Sequence, residues 1–377
     1  MMDMRFPLFL CALLCSLAAH ALPAPPMLTA RHYALYDVSS GQMLAAQEAD
    51  AHIAPGSLTK LMTAYVVFGA IARGDLSPEQ RLTPTAYSLR LHHEEPRMFL
   101  EAGKEVTVDA LVHGLLVQSA NDAARVLAEG VAHHEIAFAD RMNAEARRLG
   151  LHDSHFTNAT GVAEAQHYSS ARDLAVLAAA LQREFPQLCQ LYAVREYAYN
   201  GINQFNRNRL LWLDPHVDGM QTAWSEESGF SLVASAVRDQ RRLIAVVIGA
   251  DKEMQRTSET QRLLNFGFRE FESILLYRAQ QTVTSLPLWK GTADRIAIGF
   301  REDRYLSLPA GQRELLRAQL ETAQPLLAPI QAGQRVGTLH LLLDGAPYLD
   351  LPVVALHSVP LANVFSRGVD TLRLLIQ

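Results

Sequence analysis

Three short stretches of this chain carry side chains whose types and spacing suit them for chemistry. In "APGSLTKLMTAYVVFGAI", Ser57 and Lys60 are spaced i, i+3, so a helix beginning near Ser57 turns both toward one side. The chain uses four lysines against thirty arginines, so a lysine on the edge of an apolar run calls for a reason. An ammonium desolvated against such a run loses basicity and becomes the neutral amine that takes a serine's proton. A serine at a helix N-terminus also gains a backbone N–H for a developing oxyanion. The plainer reading is a capping serine beside a solvated lysine. In "VQSANDAARVLAE", Ser119 and Asn121 lie between two helical runs, where a hydroxyl and an amide can reach into a cleft, with helix capping again the alternative. The third stretch, "VDGMQTAWSEESGFSLVASA", places Gln221, Thr222, Ala223 and Trp224 at the start of a strand-like run about a hundred residues further on.

The elements that must position these groups are legible in the periodicity. Residues 30–46 read as two short strands joined by Ser39-Ser40-Gly41, a hairpin turn. From Ser57 the apolar spacing turns helical through "LTKLMTAYVVFGAIARG", "TVDALVHGLLVQ", "NDAARVLAEGVA" and "HEIAFADRMNAEARRLG", with Gly150 as a stop signal. Strands return at "GFSLVASAVRD" and "RRLIAVVIGA", and "SETQRLLNFGFREFESIL" reads as a closing amphipathic helix. This order predicts an α+β domain, an antiparallel sheet with helices packed on it, over residues 30–275. Beyond Tyr277, "QTVTSLPLW", "RIAIGF", "RYLSLP" and an alternating run around Asp344-Gly345 predict a small all-β domain over 278–359, without a titratable cluster. The last stretch, 360–377, puts Val364, Phe365, Val369, Leu372, Leu375 and Ile376 on one helical face. It suits either a membrane surface or packing on the β domain.

Residues 1–21 combine Arg5, an apolar run from Phe6 to Ala19 and a small-x-small signature, Ala19-His20-Ala21, ahead of Pro23. They read as a signal peptide cut after Ala21. Cys11 and Cys15 leave with it, so Cys189 remains alone and no internal disulfide is expected. A length of 377 residues with 49% hydrophobic and 19% charged content suits two globular domains. A net charge of −5 without a basic run argues against nucleic acid as a partner. "LHHEEP", "AHHEIA" and "LHDSH" invite a metal, but none has His-Glu-x-x-His spacing, and neighbouring histidines on a helix face different ways. Neither a metal nor another cofactor is expected.

Taken together, Ser57-x-x-Lys60, Ser119-x-Asn121 and Gln221-Thr222-Ala223 resemble the three signatures of penicillin-binding proteins and serine β-lactamases. The surrounding "PGSLTKLMTAYV", "MFLEAGKEVTVDAL", "SANDAA", "YSSARDLAVLAAAL", "NGINQFNRNRLLW" and "GFSLVASAVRDQRRLIAVVIGA" are similar to the low-molecular-mass serine D-alanyl-D-alanine carboxypeptidases, over nearly the whole chain after the leader. The resemblance implies a penicillin-binding, β-lactamase-like catalytic domain followed by the β domain. It also implies a peptidoglycan stem peptide ending in D-Ala-D-Ala as substrate and β-lactams as inhibitors; the leader adds a periplasmic location, with peripheral inner-membrane association through the tail helix as one option beside its packing on the β domain. Ser57 would attack the carbonyl of the penultimate D-alanine, with Lys60 as general base. Ser119 would relay a proton to the leaving amine, and Asn121 would hold the substrate amide and Lys60. Backbone N–H groups of Ser57 and Trp224 would form the oxyanion hole.

The third signature departs from the family's Lys-Thr-Gly. Its lysine helps bind the terminal carboxylate, and a charged hydrogen bond contributes about 1.5–3 kcal/mol where a neutral one contributes about 1. Gln221 is therefore expected to lower carboxylate-dependent turnover roughly tenfold or more, at about 1.4 kcal/mol per decade. Thr222 keeps its hydroxyl. Arg256, in "DKEMQRTSET", matches an arginine that helps bind the carboxylate in the family, and Arg207 is a second nearby cation. Three alternatives stay open: a cell-wall or penicillin binder without useful turnover, a D,D-endopeptidase, and a β-lactamase. The last lacks a Glu-x-x-Leu-Asn-like stretch.

Overall fold

A computed structural model of the chain describes residues 22–376; the leader read at 1–21 lies outside them. Two compact units divide the chain, one of residues 25–281 with 302–310, the other of 282–301 with the residues from 311 onward.

The first unit is built on a five-stranded antiparallel sheet of β1 (His32–Asp37), β2 (Gln42–Gln47), β3 (Val217–Ser225), β4 (Gly229–Arg238) and β5 (Arg241–Ala250). The spatial order is β2-β1-β5-β4-β3, which leaves β3 on the edge. β4 and β5 are continuous apolar runs because both of their faces are covered. Val233, Ile244, Val246 and Ile248 join a core with the helical block, while Leu232, Leu243, Ala245 and Val247 pack with Leu263, Leu264 and Phe266 on the other side.

The helical block comprises α1 (Lys60–Arg73), α2 (Val108–Val117), α3 (Asn121–Ala132), α4 (Glu135–Leu149) and α5 (Ala171–Glu184). α1 is apolar nearly all round and is accordingly the buried central helix, ending at Gly74 in the left-handed region. Side-chain caps start two of its neighbours: Thr107 accepts from the Ala110 N–H and Ser170 from the Asp173 N–H. α6 (Glu253–Glu270) covers the opposite face of the sheet.

One reading changes here. The helix expected through "FESIL" stops at Glu270, and Phe271–Tyr277 is a strand paired antiparallel with Arg304–Pro309. A partner strand thus overrides helical spacing, and "RYLSLP" groups with the first unit.

The second unit holds a six-stranded sheet in which Arg335–Leu343 and Ala346–Ala355 form a hairpin. Asp344 and Gly345 both take positive φ (50° and 79°), the geometry a two-residue hairpin turn demands. Ile296, Ile298, Leu339, Leu341 and Val353 fill its core. A helix, Val364–Ile376, follows, and its Asp370 carboxylate accepts the Lys290 N–H at 2.7 Å.

Candidate active site

Ser57 lies in a single 3-10 turn, Gly56–Thr59, that runs straight into α1, so Lys60 is the first residue of the helix proper. The Lys60 Nζ donates to Ser57 Oγ at 3.0 Å and to the Thr160 carbonyl oxygen at 2.8 Å. Lys60 is 0% exposed, and this burial is the main reason its pKa falls to about 7. The Arg207 charge pushes the same way, Glu95 opposes it, and Arg125 and Asp122 act more weakly in opposite senses. A capping serine beside a solvated lysine is thereby excluded.

The Thr160 carbonyl reaches Lys60 because the chain crosses very close to the Ser57 turn. Gly161 takes φ +86°, and a Cβ there would lie 1.8 Å from the Gly56 carbonyl oxygen. Only glycine permits that approach. The same loop supplies His167, whose Nδ1 accepts the Thr157 N–H at 3.1 Å, so its Nε2 carries the proton and donates to Thr59 Oγ1 at 2.8 Å. Burial lowers the His167 pKa to about 4, which keeps this brace under the catalytic turn neutral.

Ser119 sits between α2 and α3 with φ +58°, a conformation that a non-glycine residue adopts only when its surroundings hold it there. Its hydroxyl accepts from Gln221 Nε2 at 2.8 Å. Gln221 is 2% exposed and its Oε1 has no partner among the described residues. Asn121 opens α3 and donates from Nδ2 to Glu95 at 2.5 Å, leaving Oδ1 buried without a partner among the described residues. The contact from Asn121 to Lys60 that the resemblance implied is not made; Glu95 takes the Asn121 amide N–H and Thr160 takes the second Lys60 bond.

Ser57, Ser119, Thr222, Ala223, Trp224 and Arg256 line one cavity of about 660 Å³, joined by Arg207 and Arg209. Trp224 is 56% exposed at its mouth. Arg256, near the start of α6, is 4% exposed, stacks over the Phe230 ring at 5.8 Å, and has Glu253 at 3.5 Å. Burial pulls its pKa down to about 10, so it remains a cation at neutral pH.

Ser57, Ser119, Thr222, Trp224, Arg207 and Arg256 thus line one cleft, with Lys60 bonded to Ser57, Gln221 bonded to Ser119 and Asn121 beside Ser57 in an adjoining pocket, and the structure adds Glu95, Thr160, Gly161 and Arg209. Glu95 was visible only as part of a histidine-rich stretch. Thr160 and Gly161 lie in a loop without periodicity, so no spacing pointed to them.

Comparison with known proteins agrees with this geometry. The profile of the family described as D-alanyl-D-alanine carboxypeptidase matches residues 19–252, and that of the penicillin-binding protein 5 C-terminal domain matches 271–361. The chain is 37% identical over 372 residues to D-alanyl-D-alanine carboxypeptidase DacA of Escherichia coli K12, covering 95% of this chain and 92% of that one. It is 37% identical over 364 residues to DacD of Salmonella typhimurium, covering 94% and 93%. Penicillin binding protein 5 from Haemophilus influenzae superposes with a TM-score of 0.86 at 33% identity, over 90% of this chain and 99% of that one. A buried lysine on a reactive serine, the 119–121 pair beside it and these full-length matches identify the chain as a member of the D-alanyl-D-alanine carboxypeptidase family of low-molecular-mass penicillin-binding proteins.

Proposed function

We propose that this chain removes the terminal D-alanine from peptidoglycan stem pentapeptides through an acyl-enzyme on Ser57. The observation that carries the reading is the fully buried Lys60 amine 3.0 Å from Ser57 Oγ, where burial lowers its pKa to about 7. Lys60 takes the Ser57 proton as Oγ attacks the carbonyl of the penultimate D-alanine, and backbone N–H groups of Ser57 and Trp224 stabilise the oxyanion. The C–N bond breaks as the proton taken by Lys60 is relayed through Ser119, its Oγ held by Gln221, to the leaving D-alanine amine, which returns Lys60 to the neutral amine. Asn121 Oδ1 accepts an N–H of the acyl donor. Water then hydrolyses the ester. Arg256 and Thr222, with Arg207 beside them, hold the terminal carboxylate in place of the family's lysine. β-Lactams, which present a strained amide and a carboxylate to the same groups, acylate Ser57.

The leader at 1–21 supports export to the periplasm, and the exposed apolar face of the tail helix supports peripheral attachment to the inner membrane. No helix among the described residues is long and apolar enough to cross a membrane. The test is D-alanine release from diacetyl-L-lysyl-D-alanyl-D-alanine. Release that disappears in Ser57→Ala supports the reading, whereas peptide binding without release would favour a non-catalytic cell-wall binder.

A further inference from the structure

Residues 83–105 form neither helix nor strand, and a segment of that length needs something to hold it. The first two turns of α3 supply the hold. The buried Asp122 carboxylate accepts the N–H groups of Met98 and Leu100 at 3.0 and 3.2 Å. Arg125 donates from Nη1 to the Arg90 carbonyl oxygen at 2.5 Å and lies over the Tyr87 ring, 5.4 Å from its centroid. The Asn121 backbone N–H donates to the Pro96 carbonyl oxygen at 2.7 Å. Glu94 and Pro96 are thereby fixed in the wall of the 660 Å³ cavity, with Glu95 between them.

The Glu95 carboxylate turns toward α3, its side chain only 13% exposed. Its Oε2 accepts from Asn121 Nδ2 at 2.5 Å, and Arg125 Nη2 stands 3.9 Å from the same oxygen. A carboxylate offers only lone pairs, so the Asn121 amide can face it in one sense, nitrogen first. The amide oxygen is then directed away from Glu95. Oδ1 is buried without a partner among the described residues, on a side chain lining the adjoining pocket of about 340 Å³ that Ser57 also lines. Without that carboxylate the amide is free to turn over and present N–H groups there instead.

We infer that Glu95 is a positioning residue for the reaction at Ser57: it fixes the Asn121 amide with its oxygen toward the acyl donor. The donor N–H it serves is that of the residue whose carbonyl Ser57 attacks, the nearest one along the chain. Glu95 acts through Asn121 and touches no reacting atom. The inference rests on the carboxypeptidase reading and adds to it a residue outside the three signatures.

A second consequence follows from charge. Burial depresses the Lys60 pKa most, Arg207 and Arg125 add to the depression, and Glu95 and Asp122 oppose it. Removing the Glu95 charge therefore lowers that pKa further and moves the acid limb of the rate profile to lower pH.

Two variants separate the two effects. Glu95→Gln keeps an acceptor for Asn121 Nδ2 and drops the charge, whereas Glu95→Ala drops both. The experiment measures kcat/KM for D-alanine release between pH 5 and 9 from diacetyl-L-lysyl-D-alanyl-D-alanine. It also uses the analogue in which D-lactate replaces the penultimate D-alanine, so that an ester oxygen stands where the N–H was. Glu95→Ala is expected to lose about tenfold on the peptide and less than about twofold on the analogue. Glu95→Gln is expected to stay within about threefold of the unmodified protein on both at the plateau, with the acid limb displaced downward. Equal losses on both substrates, a Gln variant as impaired as the Ala variant, or an acid limb that stays in place overturns the inference. If Glu95→Ala does not fold, the acid limb of Glu95→Gln decides alone: displacement supports the inference and its absence overturns it. If the unmodified protein releases no D-alanine, the carboxypeptidase reading fails separately. The inference is then read from the rate of Ser57 labelling by a fluorescent penicillin, whose side-chain amide offers the same N–H. Slower labelling in Glu95→Ala than in Glu95→Gln supports it, and equal rates overturn it.

Discussion

Lys60 and Gln221 divide the electrostatic work of the cleft in a way their residue types dictate. A fully buried amine at the start of α1 loses the solvation its charge needs, and the Arg207 guanidinium makes that charge still less welcome. Gln221 adds no competing charge; its amide only fixes the Ser119 hydroxyl as an acceptor on one side, leaving the hydroxyl proton for the cleft. In the proposed reading carboxylate recognition falls to the arginines, of which Arg256 is the one buried in the wall. Arg256→Ala is expected to lower kcat/KM about tenfold or more for a peptide ending in a free carboxylate, with a smaller effect on its C-terminal amide. Undiminished D-alanine release would refute that assignment. Introducing Gln221→Lys puts a second ammonium near Lys60 and is expected to lower the Lys60 pKa further, moving the acid limb of the rate profile downward.

At the scale of elements, the loop that carries Thr160, Gly161 and His167 braces the nucleophile turn from below. Its stability has a pH signature with a definite sign. The His167 pKa is about 4 in the folded chain and near 6.5 in the unfolded one, so the unfolded state binds the extra proton between those values. The contribution is fully present above about pH 6.5 and is lost as pH falls toward 4, amounting to about 3 kcal/mol. Replacing His167 with Gln is expected to flatten the dependence of the unfolding free energy on pH across that window, measured by denaturant titration. An unchanged slope would show that another group sets the acid sensitivity. This loop was illegible in the sequence because its interactions are polar and long-range. α1, α3 and the strand pair β4–β5 were read closely, since apolar spacing and runs report burial directly. The strand at Phe271–Tyr277 was misread for the same reason: Phe271, Ile274 and Leu275 also fit a helical stripe, and the partner that decides between them lies some thirty residues away. The serine and lysine were legible as a pair, but the buried amine itself became evident only with the helices wrapped around it.

For the whole molecule, the two units have different chemistry. The residues gathered at the cleft all belong to the first, and the described part of the second ends in a helix that exposes Val364, Phe365, Leu372 and Leu375, with Phe365 at 90%. Such a face suits the headgroup region of a bilayer, each large side chain gaining about 2 kcal/mol on burial. The full chain is expected to float with phosphatidylglycerol-containing vesicles, and Phe365→Ser/Leu372→Ser/Leu375→Ser to lose at least tenfold in partition while still releasing D-alanine. Equal flotation of both proteins, or of neither, would remove the membrane role.

Acylation at this cleft depends on a serine activated by a neutral lysine. Its most direct test is the rate of Ser57 acylation by a fluorescent penicillin between pH 5 and 9, with the adduct located by mass spectrometry. A single adduct on Ser57 is predicted, its rate climbing through about pH 7 to a plateau and falling by orders of magnitude in Lys60→Gln. An adduct elsewhere, no adduct, or a rate indifferent to pH and to Lys60 would contradict it.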